Sequence, residues 1–145
     1  MTSVRKVASE VSTAAFAAGL VLGALPAIAH ADGHQVTYTI TATGNLTGQV
    51  RYMTSDPPNQ AAFDNNSSQF MTTTQASFSA GQPLVYNATL ANPNQWAYIN
   101  ASGGCHWPDC GSGATPEIQC QIAVDGQVVV TQSATTGVTC STRPW

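Results

Sequence analysis

One local cluster in this chain has residue types that could do chemistry: Cys105-His106-Trp107-Pro108-Asp109-Cys110. Thiolate, imidazole and carboxylate together suit zinc or copper. The C-x4-C spacing stands alone, however, without the second matched pair of a zinc module. It also differs from the two-residue spacing of thioredoxin-like redox pairs. The spacing therefore favours a disulfide-closed surface loop, and no metal or cofactor is expected. A second set is aromatic. Trp96, Tyr98, Trp107 and Trp145 could form a binding face for lipid or glycan. Aromatic rings also fill sandwich cores, which is the favoured place for Trp96 or Tyr98. Trp96, Tyr98 and Trp107 are carried forward as the candidate interaction surface.

Other chemistries lack their parts. Hydrolysis needs a nucleophile, a base and an orienting group, and no Gly-x-Ser-x-Gly motif is present. The acids are too scattered to suggest a catalytic pair, and no Gly-rich phosphate loop occurs. The chain is read as non-catalytic. Beyond residue 31 the only basic residues are Arg51 and Arg143, against Asp32, Asp56, Asp64, Asp109, Glu117 and Asp125. Two against six leaves a net charge of −4, so nucleic acid is not an expected partner.

The first residues read as a targeting segment. Arg5 and Lys6 precede an apolar run from Ala14 to Ala29, Pro26 breaks it, and Ala29-His30-Ala31 has the A-x-A form of a cleavage site. Residues 1–31 are the expected signal peptide and 32–145 a single domain. The alternative is a single-pass anchor at residues 14–31. The four cysteines, Cys105, Cys110, Cys120 and Cys140, all follow the expected cleavage point. An even number there argues for disulfides in an oxidising compartment, secreted or at the extracytoplasmic cell envelope. Of three connectivities, Cys105–Cys110 with Cys120–Cys140 is preferred. His34 is expected in a frayed terminus.

The elements that must position these residues are strands. In V-T-Y-T-I-T-A-T from Val36 to Thr43, apolar residues face one way and threonines the other. Leu46–Thr54, Gln69–Phe78, Leu84–Leu90 and Gln95–Ala101 follow as strands. Ser55–Ser68 reads as a loop, because Pro57 and Pro58 exclude a central strand. The stretch from Ile118 to Cys140 reads as a hairpin turning at Asp125-Gly126, then a third strand returning Cys140 toward Cys120. Seven to eight short strands predict an all-β protein. The expected fold is a small antiparallel sandwich of the Ig-like or transthyretin-like kind, after an N-terminal signal helix.

The segments V-T-Y-T-I-T-A-T-G, Val50-Arg51-Tyr52, Tyr98-Ile99-Asn100-Ala101, I-Q-C-Q-I-A-V-D-G-Q-V-V and Val138-Thr139-Cys140 resemble the extracytoplasmic domain of the mycobacterial MmpS membrane-protein family. The resemblance implies a small β-sandwich whose cysteine pair falls on Cys120 and Cys140. It also implies an accessory role beside large lipid or siderophore exporters of the envelope. This chain differs in its expected cleavable leader and in the Cys105–Cys110 loop, which reads as an insertion, and it is read as a secreted variant. The expected function is a protein-interaction module whose partner is an envelope transporter or another envelope protein. The alternative is a carrier of a small ligand: lipid, siderophore or metal.

Overall fold

The computed structural model describes residues 33–105 and 115–145. The expected leader, together with His106, Trp107, Asp109 and Cys110, lies outside the described residues. Among the described residues, eight strands form two four-stranded antiparallel sheets.

The strands are β1 (His34–Ala42), β2 (Leu46–Met53), β3 (Met71–Phe78), β4 (Leu84–Leu90), β5 (Tyr98–Gly104), β6 (Ile118–Val124), β7 (Gln127–Ala134) and β8 (Gly137–Ser141). One sheet runs β4-β1-β6-β7 and the other β3-β2-β5-β8. In β1 the alternation works as read. Val36, Tyr38, Ile40 and Ala42 are buried, and the threonines between them lie on the outer face. From the facing sheet, Val50, Met53, Ile99, Ala101 and Val138 close the core. Period-two patterning thus fixes which face each strand buries.

At Gly48 the strands β2 and β5 come close. It pairs with Gly103, and a Cβ there would run into the Ser102 carbonyl oxygen and the Gly103 Cα. Only glycine fits that approach.

Four local expectations change. The third C-terminal strand does not extend the β6–β7 hairpin. β8 crosses over and pairs with β5 instead. The Cys120–Cys140 bridge (Sγ–Sγ 2.09 Å, Cα–Cα 6.0 Å) therefore joins the two sheets rather than neighbouring strands of one.

Residues 55–68 are not all loop. They hold a helix, α1 (Gln60–Asn65), capped by the Asn59 side chain accepting from Ala62 N at 2.8 Å, and the start of a 3-10 turn, Ser67–Gln69. Asn is a preferred N-cap because its oxygen satisfies an orphan N–H.

The strand expected from Gln95 begins at Tyr98. Before it, a four-residue helical turn, α2 (Pro93–Trp96), uses Pro93 in its first turn, where no N–H is needed. His34 is not frayed. It pairs with Leu90 in β1–β4, and its Nδ1 lies 2.6 Å from Asp125 Oδ2.

The β6–β7 turn explains that last contact. Asp125 (φ 50°) and Gly126 (φ 84°) are both left-handed, the pattern of a type I′ hairpin turn. The turn thereby aims the Asp125 carboxylate at β1, where Oδ1 accepts from Gln35 N at 2.9 Å. In β7, Ile122 pairs with Val130 and Ala123 with Val128, so Val129 is the extra residue of a bulge. Val128 and Val129 end up exposed on an edge strand.

Candidate binding site

The most elaborated part of the surface is a cleft beside α1, β5 and the tail that follows β8. It has a volume of about 390 Å³, and its lining includes Arg51, Phe63, Asp64, Ser67, Tyr98 and Trp145. No two of its elements are close in sequence, so tertiary bonds must hold them. Thr142 ties the tail to α2: its N–H donates to the Ala97 carbonyl at 3.1 Å and its hydroxyl to the Pro93 carbonyl at 2.6 Å. Asp56 ties the β2–α1 connection to the same place, accepting from Ala91 N and Asn92 N at 2.7 and 2.9 Å. Arg143 reaches back to α1, where Nη2 donates to Gln60 Oε1 at 2.6 Å. Gln60 Nε2 in turn donates to Asp64 Oδ1 at 2.7 Å.

These ties hold an aromatic cluster. The Arg143 guanidinium carbon sits 4.7 Å from the Trp96 ring centre and 4.2 Å from that of Trp145. A cation is attracted to the electron-rich faces of indoles at this range. Trp145 also meets Phe63 (5.1 Å), Trp96 (5.7 Å) and, edge-on at 70°, Tyr98 (5.3 Å). The tilted and edge-on arrangements are those that the ring quadrupole favours. The result is a tryptophan, Trp145, that is 47% exposed while its ring is braced on several sides.

Of the three residues expected to form an interaction surface, Tyr98 lines the cleft half-buried. Trp96 is not a surface residue. It is 3% exposed and packs against the Trp145 ring, so it supports that ring from the core. Trp107 lies outside the described residues. Trp145, Arg51 and Arg143 were not singled out together from the sequence. One signal was available: both basic residues of residues 32–145 neighbour aromatics, in Arg51-Tyr52 and Arg143-Pro144-Trp145.

The cleft's polar groups are of both signs. Arg51 Nη2 donates to Ser67 Oγ at 2.8 Å, which leaves further guanidinium donors. Asp64 is exposed and keeps acceptor capacity beyond its bond to Gln60. Elsewhere, Tyr38 is buried and donates to the Met53 carbonyl at 3.0 Å, and burial pushes its phenol well above the ordinary tyrosine value. Burial also raises Tyr86.

The expected Cys105–Cys110 pairing involves a residue outside the described ones. Cys105 itself is disulfide-bonded. Among the described residues, no cluster of three His, Cys, Asp or Glu side chains is placed to hold a metal. No helix of the described residues is long and apolar enough to cross a membrane. The Cys120–Cys140 bridge is compatible with an oxidising, extracytoplasmic compartment.

Residues 38–140, from Tyr38 in β1 to Cys140 in β8, match the model of the Rv2576c beta-sandwich domain. The chain belongs to that family. The matched span contains the inter-sheet disulfide and stops short of Arg143 and Trp145. Similar proteins include uncharacterized protein Rv2576c of Mycobacterium tuberculosis strain H37Rv and uncharacterized protein Mb2606c of Mycobacterium bovis. Each is 54% identical over 147 residues, covering 100% of this chain and 91% of the relative. The mycobacterial and β-sandwich parts of the resemblance are thus matched. None of these names is MmpS, and the accessory role in export is a proposal.

Proposed function

We propose that the protein is a non-catalytic, exported binding module of the cell envelope whose working face is the Trp145 cleft. The observation that carries this is the braced, half-exposed indole beside Arg51, Asp64 and Ser67. Rigid aromatics flanked by polar groups are the usual anchors of binding surfaces. The cleft offers no activated nucleophile. Ser67 Oγ accepts from an arginine, which cannot act as its base. The expected partner is an envelope transporter or another envelope protein, and the MmpS resemblance makes the setting lipid or siderophore export.

The carrier reading takes a changed form. The inter-sheet space is filled by side chains such as Tyr38, Ile40, Ile99 and Ile122 at 0% exposure. A small ligand would therefore sit in the open cleft and not between the sheets.

A photo-crosslinking residue at Ser68, beside the cleft, and another at Gln132 on β7 test the reading in cells producing the full chain. An envelope component should attach at Ser68, be lost on Trp145→Ala, and be absent at Gln132. Equal adducts at both positions, or adducts at Gln132 alone, would overturn the assignment of the face.

A further inference from the structure

We propose that the cleft takes a neutral saccharide ring of an envelope glycan, with the sugar's apolar face on Trp145. This rests on the cleft being the binding face and names the chemistry it recognises.

Three observations point to a sugar. The first is the platform. A pyranose carries C–H groups on one face, and these are weakly positive against the negative face of an indole. Trp145 lines the cleft and is 47% exposed as a residue, and contacts with Phe63, Trp96, Tyr98 and Arg143 hold its ring in place. A pre-set ring binds a ligand without first being ordered.

The second is the polar set. A hydroxyl both donates and accepts, so a polyol is matched by mixed groups. Arg51 supplies donors, Asp64 an acceptor, and Ser67 either. A phosphate or other anion would face the Asp64 carboxylate. A proline-rich peptide offers carbonyl acceptors and few donors, so it would bring little to the acceptor capacity that Asp64 keeps beyond its bond to Gln60. The volume of about 390 Å³ lies at the small-ligand end of the usual range of roughly 300–1,000 Å³.

The third is what the rim lacks. Among the described residues, the large exposed apolar side chains beyond Trp145 are Val85, Val128 and Val129. They sit on β4 and β7, the edges of the other sheet. Among the described residues, nothing apolar of that size continues the cleft toward an acyl chain, which favours a polysaccharide over a lipid surface as the source of the ring.

Purified full-length exported protein should be titrated by calorimetry and saturation-transfer NMR with cellobiose, maltose, mannobiose and galactobiose. Weak binding of at least one disaccharide is expected, with a dissociation constant in about the micromolar-to-millimolar range. Trp145→Ala should weaken it at least about tenfold, and Asp64→Asn about five- to tenfold, as for loss of a charged hydrogen-bond partner. Val129→Thr should leave it unchanged. Asp64→Asn keeps the claim testable if Trp145→Ala perturbs the fold. Binding that survives both cleft variants would overturn the proposal, as would binding only to digalactosyl-lipid vesicles. If no disaccharide binds while Ser68 still captures an envelope protein in a Trp145-dependent way, the saccharide is wrong and the binding face stands. If neither is seen, both fall.

Discussion

Two regions of this molecule leave large apolar side chains in water, and they are built in opposite ways. At the cleft, Trp145 is locked among three aromatic rings and an arginine, and hydrogen bonds tie its tail to α1 and α2. On β7, Val128 and Val129 are equally exposed, but they stand on an edge strand at a bulge. A bulge disrupts the hydrogen-bonding ladder and protects an edge from pairing with another chain. Exposure alone therefore does not mark a site. The bracing distinguishes a surface held ready for a partner from one that discourages partners.

The strongest way to break this contrast is to remove the buried ring that supports Trp145. Trp96→Ala should cost about 3–5 kcal/mol, as for buried aromatics elsewhere, read from denaturant unfolding. A loss below about 1 kcal/mol would mean that the cleft end is not built on Trp96. Next comes the bridge shared by both regions, since Cys120 neighbours the β7 hairpin and Cys140 leads to the tail. Replacing both cysteines by alanine should cost about 3 kcal/mol in the loop-entropy model, again read by denaturant unfolding. Cleft binding should weaken with it, and binding kept at full strength would show that the tail is positioned without the staple.

Alkali provides a third probe. The folded Tyr38 phenol holds its proton more tightly than the unfolded one because of its burial. Stability from this group is fully present below about pH 10, the unfolded value. It falls as pH rises from there toward the higher folded value, by up to about 1.4 kcal/mol per pH unit. Tyr38→Phe should flatten that slope. An unchanged slope would place the alkaline sensitivity elsewhere, Tyr86 being the next candidate.

Smaller effects sharpen the comparison. Trp145→Ala should cost about 0.5–1.5 kcal/mol, the worth of an aromatic contact, while removing binding. Val129→Thr should stay within about 0.5 kcal/mol and leave binding untouched. Equal stability losses from these two variants would erase the distinction between a braced ring and an idle edge.

Much of the fold was legible in the residues. The alternation in β1 announced its buried face, Asp125-Gly126 announced the hairpin, and Leu84–Leu90 appeared with its own bounds. Sheet membership of β8 was not legible. Period-two patterning says which face is buried but not which strand lies alongside. The helix α1 escaped because none of its residues is buried, so it shows no apolar stripe. The cleft escaped for a different reason. Gln60 and Arg143, 83 positions apart, meet only after folding, and no local motif marks such a pair. The hints that Arg51 and Arg143 mattered were their scarcity and the aromatic residues beside them in the sequence.

The place of β1 also sets a timetable. It is an inner strand of its sheet, and its two neighbours are β4 and β6. Its partners are residues as late as Leu90 on one side and Val124 on the other. A chain delivered N-terminus first therefore cannot complete the pairing of β1 until most of its length has followed. Pairings this distant in sequence are slow to form, since the intervening chain must be closed before any contact rewards it. During that interval the alternating face of Val36, Tyr38 and Ile40 is uncovered. Sealing β1 is therefore a late event in the folding of this sheet.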